Sequence, residues 1–382
     1  RDYIKTKFNW FSDAWYLAKP FWSSSEKYRA LFWLSIVIAF SLLEVYISVW
    51  LNEWNATFYN AIQNYDKPAF MKALFQGLYI MSLFVMTMLV GYYFNSILEI
   101  KWRKWLTHFY LNDWLDSKAY YKSRFTNANL DNPDQRISED IREFIQDTLR
   151  LFMGIFKSVV SLASFAVILW NLSGNFKFNL LNYHFYIPGY MVWMAVLYAF
   201  LGTYITFQIG RPLVKLTYEQ QRYEADFRYN LVRVREYAEH VASYDGAEIE
   251  KKIITKDFDN IVTNFSQSIN RNLKINMFNF TYMQVSNIVP TIISAGRYFS
   301  REITLGNMMQ ITSAFGQVQF AIAYFVFAYS TIASWRAVMD RLLGFKQTIQ
   351  DVKQLPKVNI LHHDKNYLEI NNLQIKLSSG NH

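Results

Sequence analysis

The chain has 382 residues, of which 52% are hydrophobic and 19% aromatic, with a formal net charge of +9 and no cysteine. The missing thiols exclude disulfides and cysteine-based metal sites or nucleophiles, and the histidines lack metal-like spacing, with His362 and His363 reading as solvated residues of a polar stretch. The 39 basic and 30 acidic residues do not form one continuous basic patch, so nucleic acid is not an expected partner.

The apolar residues are gathered into blocks of membrane length separated by charged stretches, the pattern of a bilayer protein with large aqueous extensions. The first predicted element, residues 9–22, mixes bulky aromatics with Lys19 and polar side chains. That composition suits an amphipathic helix lying in the headgroup layer. Residues 1–27 therefore read as an elbow helix within an N-terminal cytoplasmic segment.

Apolar blocks follow at about residues 28–50, 73–97, 149–172, 190–209, 277–300 and 308–334, the fifth being the weakest. Each approaches the roughly 20 residues needed to cross a hydrocarbon core. Glu44 lies inside the first block, and Gln310, Gln317 and Gln319 lie inside the sixth. Acids and amides in a span are costly unless they meet protein or water. These four are therefore candidates for a hydrated cavity, Glu44 also for a proton carrier, although a hydrogen bond from Glu44 to a neighbouring helix explains it equally well.

The connections at 51–70 and 171–189 carry few basic residues and belong outside, whereas 98–148 and 210–274 are long and basic and belong inside. Both termini are thus expected in the cytoplasm. Arg297 and Arg301 fall on the outer side, where snorkelling to headgroups explains them, the alternative being a basic rim for anionic cargo. The chain opens at Arg1 without an initiator Met or a signal-peptide pattern, so its ends read as limits of a longer protein.

The inner segments read as helices that continue the spans into water. Residues 99–118 contain neither Gly nor Pro, and Trp102, Trp105, Leu106, Tyr110 and Trp114 recur at roughly helical intervals. Gly210-Arg211-Pro212 permits a bend, after which a charged helical pattern runs to Tyr244, and Asp245-Gly246 marks a turn. Residues 346–366 read as a linker, and 367–382 show the first alternating, strand-like pattern of the chain.

The stretch Asn129-Leu130-Asp131-Asn132-Pro133-Asp134-Gln135-Arg136-Ile137 resembles the NPDQ motif of ABC transporter subfamily D and its bacterial relatives. The Trp-rich run from Lys101 to Tyr121, the Gly210-Arg211-Pro212 run and the segment from Glu236 to Glu250 are similar to the same group, which includes the SbmA/BacA-like transporters. The resemblance implies an all-α membrane protein: a six-transmembrane-helix, exporter-type (type IV) ABC transmembrane domain over residues 28–345 with long cytoplasmic helical extensions. It places coupling to a nucleotide-binding domain at Ala119, Tyr120 and Tyr121, at Asn132, Pro133, Asp134 and Gln135, and at Glu239, Tyr244, Gly246 and Glu248. Taken alone, Asp131, Asn132 and Asp134 beside Pro133 predict a turn with side-chain caps followed by a helix.

The resemblance further implies a homodimer in a bacterial inner membrane, with residues 367–382 opening a nucleotide-binding domain in the same chain. ATP and Mg2+ are expected on that domain, because the residues here include no G-x-x-x-x-G-K-[ST] loop and no catalytic residue can be named. The solute is expected to be hydrophilic, such as a peptide or a cobalamin-like compound. Two other readings are open: a proton-driven peptide uptake protein without an ATPase, and a membrane anchor for a cytoplasmic enzyme or sensor.

Overall fold

Long helices dominate the chain, and several run on through glycine or proline, Pro212 and Pro290 both lying inside helices. The structure, a computed structural model, describes residues 10–123, 132–180 and 183–355. In chain order these form α1 (Trp10–Trp22), α2 (Lys27–Gln63), α3 (Lys67–Asp116), the short α4 (Ala119–Lys122) and α5 (Pro133–Gln135). A π-helical turn (Arg136–Asp140) then leads into α6 (Ile141–Ser173), the strands β1 (Asn175–Leu180) and β2 (Tyr183–Pro188), and α7 (Tyr190–Glu236). The short α8 (Ala238–Ser243) separates α7 from α9 (Ala247–Phe299), and α10 (Leu305–Gln354) follows.

Among the described residues, five helical stretches are long and apolar enough to cross a membrane: Lys27–Gln63, Lys67–Asp116, Pro133–Ser173, Tyr190–Glu236 and Leu305–Gln354. They contain five of the six expected blocks. The fifth block is helical as part of α9, but Asn279, Gln284, Asn287 and Pro290 interrupt its apolar run.

The all-α expectation needs one correction. Residues 171–189, taken from sequence as a loop, contain an antiparallel hairpin in which Asn175 opposes Pro188 and Leu180 opposes Tyr183. The signal was present, since Phe176, Phe178 and Leu180 and then Tyr183, Phe185 and Ile187 alternate with other residues at the two-residue period of a strand.

Three helix ends close in the same way. At Tyr65, Asp245 and Arg301 a non-glycine residue takes a left-handed conformation, with φ of 56°, 52° and 63°. The next amide then reaches back five residues: Asp66 N donates to Ala61 O at 3.0 Å, Gly246 N to Val241 O at 2.8 Å, and Glu302 N to Arg297 O at 2.9 Å. This is the Schellman pattern, which satisfies carbonyls the helix itself leaves open. At the opposite polarity, Asp66 caps α3 by accepting from Ala69 N at 3.0 Å. The first amides of α10 are taken up by α2, Leu305 N donating to Gln63 Oε1 at 2.7 Å and Gly306 N to Asn60 Oδ1 at 2.9 Å.

The chain divides into two compact units, one of Arg1–Val45, Leu83–Lys157 and Phe327–His382, the other of Tyr46–Ser82 and Ser158–Val326. In the first, Leu98, Trp102, Leu106 and Tyr110 of α3 are buried at a spacing of four. Trp102 stacks on Phe21 of α1 and meets Phe144 of α6 edge-on, while Tyr110 meets Phe345 of α10. Burial by itself pushes the Tyr110 hydroxyl above its ordinary pKa, and the nearby Tyr16 and Asp113 add to it.

α1 buries Leu17, Ala18 and Phe21 and exposes Phe11 and Trp15. It is tied to α10 by Asp13 with Arg336 at 2.6 Å and by the Lys346 ammonium over the Tyr16 ring at 3.7 Å. α10 runs on to Gln354, past residue 346, because Phe345, Ile349 and Val352 stay buried and Lys353 pairs with Asp113 at 2.7 Å. The rest of the expected linker, the strand-like residues 367–382, and His362 and His363 lie outside the described residues.

The second unit is centred on a cluster in which Phe165 and Leu169 of α6, Met191 and Ala195 of α7, and Ile311, Ala314, Phe315 and Val318 of α10 are buried together. α2 and α3 join this unit through Trp54, whose indole N–H donates to Ala73 O at 2.7 Å. Gly77 leaves the room that the indole needs, since a Cβ there would lie 2.4 Å from the Trp54 ring.

Candidate functional site

Within the second unit α7 and α9 run antiparallel, and polar side chains meet in register along both. Tyr198 and Tyr282 stack with ring centroids 4.4 Å apart, and each hydroxyl donates to the other residue's carbonyl, at 2.6 and 3.0 Å. Thr206 bonds Asn279 at 3.2 Å, Asn264 donates to the Gln220 side chain and to Leu216 O, both at 2.9 Å, Asn230 donates to Asp257 at 2.5 Å, and Arg233 pairs with Glu250 at 2.5 Å. α7 passes through Pro212 without ending. Each rung fixes the sliding register of one helix against the other, so the pair behaves as a single rod.

The rod ends at α8 and the turn after it. Glu239, Tyr244 and Glu248 are exposed there, Tyr244 at 85%, and Gly246 is half-buried with φ of −79°. The sequence places a turn at Asp245-Gly246, and the structure gives the left-handed position to Asp245 rather than to the glycine. These four predicted site residues therefore come together at one tip, while the rungs behind them escaped sequence reasoning.

The first predicted coupling region is built in the other unit. Lys118 takes a left-handed conformation, φ 54°, and starts α4, where Ala119 is buried and Tyr120 and Tyr121 are exposed. Tyr120 is held edge-on against Trp114 at 5.9 Å. Farther along, Asn132, Asp134 and Gln135 are exposed and Pro133 occupies the first turn of α5.

The side-chain cap expected at Asn132 is absent: the residue adopts φ 48°, ψ 64°, and the turn is closed by Arg136 N donating to Asn132 O at 3.2 Å. Asp131 and the preceding motif residues lie outside the described residues. What anchors the motif is a set that sequence reasoning missed. Arg136 pairs with Asp140 at 2.7 Å, and Arg341 of α10 grips the same carboxylate through Nε at 3.0 Å and Nη2 at 2.6 Å. Burial raises the Asp140 pKa, but the hydrogen bonds and charge of Arg341 and Arg136 outweigh it and hold the carboxyl below the usual range.

Glu44 is buried and is hydrogen-bonded to the ammonium of Lys157 on α6. Gly91 of α3 leaves space for the carboxylate, since a Cβ there would come within 3.4 Å of Glu44 Oε1. Sequence reasoning singled out the acid and passed over its partner, although Lys157 stands inside the third apolar block.

The three glutamines are not brought to one place by a shared bond. Gln310 offers its backbone carbonyl to Asn52 Nδ2 at 2.9 Å, Gln317 is half-buried, and Gln319 is buried against the Ser286 hydroxyl of α9. No cluster of metal-ligating side chains occurs among the described residues.

Pairing makes a prediction for Glu44. Glu44→Gln and Lys157→Met should each lower the apparent melting temperature of the solubilised protein, and the double variant should lose less than the two together. A coupling of roughly 0.5–3 kcal/mol is expected for residues in contact. Strictly additive losses in a double-mutant cycle would show that the two do not act as a pair.

Residues 17–299 match the family model described as ABC transporter transmembrane region 2. The chain is 34% identical over 301 residues to an uncharacterized ABC transporter ATP-binding protein of Haemophilus influenzae, covering 79% of this chain and 50% of that protein. It is 33% identical over 333 residues to the inner membrane ABC transporter ATP-binding protein YddA of Escherichia coli, covering 87% and 59%. It is also 32% identical over 335 residues to the chloroplastic ABC transporter D family member 2 of Arabidopsis thaliana, covering 88% and 45%. The chain thus spans about half the length of the relatives it matches.

Proposed function

Since the chain belongs to the ABC transporter transmembrane region 2 family, we propose that it is the permease half of an ATP-driven transporter that moves a hydrophilic solute across a bacterial inner membrane by alternating access. In this reading it works as a homodimer with six crossings per half, the end of α9 supplying the fifth, and with both termini in the cytoplasm. The basic inner segments support that orientation. The sequence carries no G-x-x-x-x-G-K-[ST] loop to cradle phosphates. ATP and Mg2+ therefore belong to an ATPase domain of the same transporter.

The observation that carries the proposal is the registered α7–α9 pair. A displacement applied at Glu239, Tyr244 and Glu248 passes along the rungs to Tyr198 and Tyr282, because a rod held by side-chain bonds moves as a body. From α9 it reaches α10 through Ser286 with Gln319 and through Thr291 with Thr312, 3.1 Å apart. The other tip also ends on α10, where the turn after Asn132-Pro133-Asp134-Gln135 is fastened by Asp140 to Arg341. In this reading α10 is the helix whose movement covers or uncovers Gln317. A domain that favours one arrangement of the tips shifts the whole equilibrium by its differential affinity for the two states.

This chain has no native cysteine, so Gln317→Cys in the full-length transporter gives a reporter for an impermeant maleimide. ATP with vanadate should change its labelling by about tenfold, within the range of ordinary coupling free energies. Tyr244→Ala combined with Glu248→Ala should abolish that response. Labelling that ignores ATP and follows the proton gradient would replace this reading with proton-driven uptake.

A further inference from the structure

A groove of about 480 Å3 lies between the end of α1, the start of α2 and the part of α3 just past its apolar run. Its lining brings the aromatic Phe21, Trp33, Trp105 and Phe109 together with the basic Arg29, Lys101 and Lys104. We propose that this groove is a binding site for an anionic phospholipid, with the phosphate held by Lys101, Lys104 and Arg29 and an acyl chain lying along the aromatic side chains.

Three observations carry this. The first is charge. Lys101 lies 5.6 Å over the Trp33 ring, within cation–π range. Arg29 has only an exposed pair with Glu26 at 3.3 Å, which contributes little in water. Glu26 lines the groove as well and offsets one of the positive charges, so the local balance remains basic.

The second is shape. The volume falls within the range of ordinary small-molecule sites, and a lining that holds both basic and aromatic side chains suits a molecule with a charged group and an apolar part. The third is place. Tyr28, Leu31 and Phe32 on α2 and Ile100 on α3 are exposed large hydrophobics next to the lining residues, as lipid-facing positions would be. α1 bears the exposed aromatics of an interfacial helix. A free phosphate would use the basic side chains alone and leave the aromatic ones unexplained.

The site is separate from both tips and independent of the ATP-driven reading. The full-length protein would be placed in nanodiscs of phosphatidylcholine with graded phosphatidylglycerol, and retained lipid measured by native mass spectrometry. Wild type should retain phosphatidylglycerol selectively. Lys101→Gln with Lys104→Gln should bind it roughly thirtyfold more weakly, given the usual contribution of a basic residue at an anionic surface. Lys101→Arg with Lys104→Arg should keep the site, which separates loss of charge from a folding defect, and Lys67→Gln with Lys72→Gln, far along α3, should leave retention unchanged. Equal retention by the glutamine variant, or displacement of the lipid by millimolar inorganic phosphate, would overturn the proposal.

Discussion

Asp140→Ala is expected to lower the apparent stability of the protein by about 3 kcal/mol or more, the usual cost of breaking a buried ion pair by removing one member. The Asp140 side chain is 2% exposed and that of Arg136 10%, so the pair lies out of water. Arg341 is 37% exposed and can recover solvent, so Arg341→Ala should cost less than the loss of the shared acid. For the larger loss, the melting temperature should fall by roughly 4 °C or more. An unchanged melting temperature in Asp140→Ala would mean that the three side chains do not fasten the turn.

The same group gives a pH dependence with a fixed sign. Its pKa is lower folded than unfolded, so its contribution is fully present above the unfolded value near pH 4 and is lost as pH falls through the folded value. Asp140→Asn has no such titration. The gap between wild type and Asp140→Asn in an unfolding series should therefore be constant at neutral pH and should narrow only below about pH 4.

What could be read from sequence here is what periodicity encodes. The recurrence of Trp102, Trp105, Leu106, Tyr110 and Trp114 at roughly helical intervals revealed a helix, and Asp245-Gly246 revealed a reversal. Periodicity names a face but not its partner. Nothing local to Asp140 points to Arg341, and nothing around Tyr198 points to Tyr282, because each pairing exists only once two distant helices are packed.

The spacing of Arg136 and Asp140 was a partial signal, since residues four apart share a helix face. The remaining differences also have physical causes. Asn132 was expected to cap α5 through its side chain, but asparagine tolerates the left-handed region and closes the turn through its backbone instead. The hairpin at 175–188 was hidden by its position between two spans, where a short link was expected.

Gly202→Ala is the substitution expected to harm the rod most. A Cβ at this position of α7 would lie 2.2 Å from Tyr282 Cζ and 2.3 Å from Cε2. The ring cannot swing aside cheaply, since it is stacked on Tyr198 and its hydroxyl is bonded to the Tyr198 carbonyl. Overpacking of this kind costs about 1–3 kcal/mol, and breaking the two reciprocal hydrogen bonds adds about 1 kcal/mol each. Tyr282→Phe removes one of those bonds without a clash, so it should cost only about 1 kcal/mol. Thermal unfolding should therefore rank Gly202→Ala well below Tyr282→Phe and wild type. The functional consequence follows from position: Gly202 lies between the exposed tip and the contacts of α9 with α10, so the ATP response of Gln317→Cys should weaken in Gly202→Ala and survive in Tyr282→Phe. If both variants responded like wild type, movement would reach α10 by a route that does not pass through this pair of tyrosines.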